Sequence, residues 1–117
     1  MWRSIAAVLL VFVLGACAAR LPIVVDPAYT TFLFPSVPER YEGTRLASSH
    51  EEAWTYLQLG DLSTSEARYT VLLTQSPDFY PAITGLGWVN LGQEDYREAD
   101  EYFARSIEIA PTYVSGL

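Results

Sequence analysis

Apolar positions in the second half of this chain recur every three or four residues, and the whole pattern then recurs at a longer interval. In residues 80–92, Ile83, Leu86, Gly87 and Asn90 fall on one stripe, the spacing of a helix face. Residues 92–94 read as a turn. Asp95 reads as the cap of a second helix, with Glu98 three residues on completing a capping box. Ala99, Phe103, Ser106, Ile107 and Ala110 form the buried stripe of that helix, and Pro111 stops it. Moving back 34 positions finds the same residue types: Asp61 for Asp95, Tyr69 for Phe103, Leu73 for Ile107, Pro77 for Pro111, Trp54 for Trp88 and Leu57 for Leu91. An offset of 34 is the period of helix–turn–helix units that stack on one another. The pattern predicts an all-α fold of helical hairpins over residues 48–117.

The first unit, residues 48–77, is less regular. Ala53, Tyr56, Ser65, Tyr69, Leu72 and Pro77 keep the pattern, and Gly60-Asp61-Leu62 supplies a turn and a cap. Glu52 stands where a buried leucine is usual. Ser48 and Ser49 each precede a glutamate by three, so the first helix is expected to begin near Ser49, with Glu52 in its first turn. Residues 78–111 form the second unit. Residues 112–117 read as the start of a third, which predicts a fragment of a longer protein; a capping stub or a second molecule against the last face are the alternatives.

Upstream the period disappears. Residues 17–47 carry Pro22, Pro27, Pro35 and Pro38, each fixing φ and removing an amide donor, which predicts an extended tether. One stretch is too apolar for a solvated linker: Thr31-Phe32-Leu33-Phe34-Pro35, with Tyr29 and Val37 nearby. It is expected to dock, either on the side of the first unit or on a partner or membrane interface. Residues 1–16 read as an export signal. Arg3 supplies its positive start, and its apolar run over residues 5–14 is too short to span a bilayer core of about 30 Å.

Two resemblances follow from these residues. Leu14-Gly15-Ala16-Cys17 resembles the bacterial lipobox. That resemblance implies that the Cys17 thiol receives a diacylglycerol, that the chain is cut before it, and that the new amine is acylated. Ala18, where inner-membrane lipoproteins carry Asp, implies outer-membrane sorting in a Gram-negative cell. An ordinary secretory signal or an uncleaved anchor are the alternatives. The second unit resembles the tetratricopeptide repeat (TPR), whose W-x2-L-G-x2-Y, A-x3-F and P appear here as Ile83-x2-Leu86-Gly87-x2-Asn90, Ala99-x3-Phe103 and Pro111. It implies a short α-solenoid whose first helices line a concave groove. The groove positions carry over to His50, Trp54, Leu57 and Gln58 in one unit, and to Thr84, Trp88, Leu91 and Gly92 in the next. Three arrangements stay open for the tryptophans: an open ladder that holds a peptide, a place in the core, or a ladder covered by the chain's own Phe32-Leu33-Phe34.

Composition narrows the function further. The chain has 14 acidic and 7 basic residues, and loss of Arg3 with the signal makes it one unit more negative than the −7 of the whole sequence. An acidic surface disfavours nucleic acid. One cysteine and one histidine argue against an internal disulfide or a zinc site. Asp95, Glu98, Asp100, Glu101 and Glu108 do not have the spacing of a calcium loop and read as a solvated face. There is no nucleophile–base pair at motif spacing and no phosphate-binding glycine loop, so neither a cofactor nor enzymatic activity is expected. The expected role is a lipid-anchored protein–protein adaptor of the bacterial envelope. Self-association through the last face, or a non-catalytic part of a larger protein, are the alternatives.

Overall fold

A computed structural model describes residues 26–113. The export signal, Cys17 and most of the third-unit stub lie outside them. Four α-helices follow an irregular amino-terminal arm and a short 3₁₀ turn, Glu39–Tyr41: α1 (Arg45–Gln58), α2 (Leu62–Gln75), α3 (Tyr80–Gly92) and α4 (Tyr96–Ile109). Among the described residues there is no strand. The all-α expectation is borne out, and the expected bounds of the third helix match α3.

The helices form two hairpins, α1–α2 and α3–α4, and the 34-residue offset runs through their backbone. Adding 34 to both ends of α2 gives both ends of α4. Asp61 N–H donates to the Tyr56 carbonyl at 3.0 Å, and Asp95 N–H to that of Asn90 at 2.9 Å. Gly60 bonds back to Leu57 as Glu94 does to Leu91, and Phe79 to Ser76 as Tyr113 does to Ala110. The turn needs a left-handed residue at its second place. Gly60 supplies it at φ 81°, whereas Glu94 is forced to φ 63°, a conformation costly for a residue with a Cβ.

Three local expectations are corrected. α1 begins at Arg45, because Thr44 caps it: its hydroxyl accepts from Ala47 N–H at 3.4 Å. Ser48 lies inside the helix and bonds back to the Arg45 carbonyl. Glu52 is exposed and pairs with Arg68 of α2 at 3.0 Å, so a surface ion pair stands where the pattern has a buried leucine. The second correction concerns the capping box at Asp95. Asp61 does cap α2, its carboxylate accepting from Thr64 N–H. Asp95 has nearly the same backbone but makes no side-chain cap bond. Its own amide, which Glu98 would have to engage, already donates to Asn90. A second carboxylate at Glu98 also repels the first. Third, Ile107 is 41% exposed. Its counterpart Leu73 packs on the core because α3 follows α2; no described helix follows α4.

α3 is apolar on every side, and such a helix must be covered on every side. Residues 81–87, Val89 and Asn90 are all buried. Two glycines let neighbours close in. A Cβ at Gly85 would sit 2.7 Å from Cε1 and Oη of Tyr69, which is fully buried. At Gly87 it would sit 2.5 Å from the Phe103 ring. Two substitutions test this frame in one denaturant series. Gly85→Ala gains about 1 kcal/mol of helix propensity but overpacks a locked ring at a cost of about 2–3 kcal/mol, so it is expected to destabilise. Glu94→Gly removes left-handed strain and is expected to stabilise by about 0.5–1 kcal/mol.

Candidate functional site

The arm crosses the face shared by α1 and α3, and the groove positions meet it there. Gln58, at the end of α1, grips the arm's main chain. Its Oε1 accepts from Tyr29 N–H at 3.0 Å, and its Nε2 donates to the Tyr29 carbonyl at 3.1 Å. Ala28 N–H donates to the Gln58 backbone carbonyl at 2.8 Å. These bonds hold the arm's main chain without regard to its side chains, at a turn that Phe32 N–H closes on the Tyr29 carbonyl at 3.1 Å.

Aromatic contacts read the side chains. Tyr29 and Phe32 stack at 4.6 Å, and Phe32 lies on Trp88 at 4.7 Å. Trp88 in turn meets Phe103 edge-on at 5.3 Å. Phe34 stacks on the His50 ring at 4.7 Å and meets Trp54 edge-on at 5.6 Å. Phe34 is still 43% exposed and Leu33 is 52% exposed. Gly92 gives Tyr29 room, since a Cβ there would lie 3.3 Å from its ring.

Beneath the arm, His50 is fully buried between two partners. Nε2 lies 2.7 Å from the Pro35 carbonyl, and Nδ1 lies 2.9 Å from the Tyr69 hydroxyl. A carbonyl only accepts, so Nε2 carries the proton, and neutral Nδ1 accepts from the Tyr69 O–H. Burial lowers the His50 pKa to about 4 against the raising effect of the Pro35 bond. Burial likewise pushes the Tyr69 hydroxyl well above its ordinary range. Phe79, also fully buried, closes this pocket between His50 and Tyr41. At the other end of the described chain, Tyr113 O–H donates to the Ser36 carbonyl at 2.7 Å.

The expected groove set therefore divides. Trp54, Gln58, Trp88 and Gly92 lie under the arm, and Leu91 is half-buried. An open ladder of all these residues is corrected. Leu57 is wholly in the core. Thr84 is turned to α4, where its hydroxyl donates to Ser106 Oγ at 2.8 Å. His50 is sealed by the arm. The covered arrangement is the one observed: Phe34 docks on His50 and Trp54 of the first unit, as expected for that stretch, whereas Phe32 reaches past it to Trp88 of the second. Sequence reasoning missed Pro35, Tyr69, Phe79 and Tyr113 as parts of this site; only the proximity of Pro35 to the two phenylalanines hinted at one of them.

Among the described residues no three His, Cys, Asp or Glu side chains gather at one point. No described helix is long and apolar enough to cross a membrane. Comparison with family models, curated proteins and solved structures returns no match.

The His50 environment sets a pH dependence. Its folded pKa lies below the unfolded value of 6.5, so folding favours the neutral ring. That contribution is complete above pH 6.5 and is lost as pH falls toward 4, about 3 kcal/mol in all. About 2 kcal/mol of this goes between pH 6.5 and 5, above the range of ordinary carboxylates. Urea unfolding across that window is expected to show this slope in the natural chain and a flat line in His50→Gln.

Proposed function

We propose that this chain is a membrane-anchored bacterial lipoprotein of the TPR type, acting as a protein–protein interaction scaffold in the cell envelope. The observation that carries this reading is the 34-residue register, kept in helix bounds, turn geometry and main-chain hydrogen bonds of two successive hairpins. The period and the small residues at Gly87 and Ala99 agree with that family. Stacked hairpins of this kind present an extended face, and here the face holds a length of irregular chain.

Cys17 would carry the lipid. Two or three acyl chains hold a protein stably at a bilayer, which one chain does not. With Ala18 following the cysteine, the anchor would sit in the outer membrane facing the periplasm of a Gram-negative cell. The role is binding rather than catalysis. Among the described residues, the buried titratable pair His50 and Tyr69 is closed over by Pro35 and Phe79. By analogy with other lipid-anchored repeat proteins, assembly of envelope proteins is the fitting context.

Metabolic labelling with a palmitate analogue, followed by crosslinked capture from envelopes, tests both halves. The natural chain is expected to take the label and retain a partner protein. Cys17→Ser is expected to lose the label and the membrane fraction. Trp88→Ala, shown by circular dichroism to be folded, is expected to keep the label and lose the partner. An unlabelled, membrane-free natural chain would end the lipoprotein reading, and capture indifferent to Trp88 would end the groove reading.

A further inference from the structure

We infer that the arm is a resident occupant of the α1–α3 face, and that the protein partner inserts a segment of the same chemistry and the same turn in its place. That segment carries aromatic residues at one position, three further on and five further on, followed directly by proline, as Tyr29, Phe32, Phe34 and Pro35 do. The inference rests on the adaptor reading and names the partner's recognition chemistry.

Each feature of the arm's seat is what a peptide site supplies. The Gln58 side-chain amide pairs with both main-chain groups of Tyr29, where the chain turns toward Phe32. Trp88 takes the Phe32 ring, while His50 and Trp54 take Phe34. His50 Nε2–H meets the carbonyl of the proline that ends the pattern. With the arm lifted, two tryptophan faces, an imidazole donor and a side-chain amide are left facing a groove. An aromatic segment turned as the arm is, with Phe32 N–H on the Tyr29 carbonyl, satisfies all of them at once.

The arm is also placed to leave. Leu33 and Phe34 are half in solvent, and the residues at 30, 31 and 36 are exposed. Behind it, the turn of residues 39–44, exposed except at the half-buried Tyr41, holds Gly43 at φ 72° with nothing within 4 Å of where a Cβ would be. A tethered occupant competes at a high effective concentration. It lowers the apparent affinity for an incoming segment by the fraction of time the face is open. The face is thus self-covered when alone and selective for segments that match the arm.

The test is binding of a fluorescent synthetic peptide of residues 26–37 to the full chain, followed by anisotropy. Phe32→Ala/Phe34→Ala, which weakens the arm but not the face, is expected to bind the peptide at least about tenfold more tightly than the natural chain. A peptide carrying the same two alanines is expected to bind neither protein. Phe34→Ala alone serves if the double variant does not fold. Equal binding to natural and variant chains, or none to a folded variant, overturns the inference. So does unfolding of both variants, which would make the arm inseparable core, and so does a natural chain that runs as an arm-exchanged dimer. Failure here with Trp88-dependent envelope capture intact leaves the adaptor reading standing. Peptide binding without envelope capture would sink the adaptor reading alone.

Discussion

A helix with no polar side cannot rest on the surface, and α3 is such a helix. Its buried positions run almost without interruption from Pro81 to Asn90. α4 packs along one side, α2 and α1 take two more, and the arm is laid over what remains exposed around Trp88. The glycines of α3 belong to the same constraint. Covering a helix from all directions brings rings very close to its backbone, and Gly85 and Gly87 leave the space that Tyr69 and Phe103 occupy. The apolar character of thirteen residues thus dictates the arrangement of the rest.

Inside that arrangement the polar groups are few and fully partnered. No buried side-chain nitrogen or oxygen among the described residues lacks a hydrogen bond. The Pro35–His50–Tyr69 chain links the arm, α1 and α2 in series, and the Thr84–Ser106 pair links α3 to α4. Burial makes these bonds demanding, because an unmet partner costs about 1–3 kcal/mol. They therefore fix register between elements whose apolar contacts alone would tolerate some sliding.

The hairpins were legible because their signals are local and periodic. Spacings of three and four, a fixed offset of 34 and cap residues such as Asp61 are properties of neighbouring positions. The errors fell where a local signal had a rival. Ser49 resembled a helix start, but Thr44 offered an earlier cap. Ile107 carried the apolar signature of Leu73 without the covering helix that buries Leu73. Asp95 matched Asp61 in type but faces Glu98 instead of a threonine. The site was half legible. Trp54, Gln58 and Trp88 fall together under the arm, on one face as the repeat pattern predicts, and the arm's aromatic content marked it as a docking segment. Its path could not be read, since an irregular chain with prolines has no period, and the His50–Pro35 contact joins residues with no pattern in common.

The bond from Tyr113 to Ser36 spans 77 positions and bears on the order in which the molecule assembles. Each hairpin can close on contacts between near neighbours in sequence, which form early because little chain entropy is lost. The arm has no seat until α1 and α3 lie side by side, and its last tie waits for the end of α4. A growing chain delivers the arm first. The arm is therefore made before the helices yet settles after them, and its aromatic residues stay uncovered throughout the interval between.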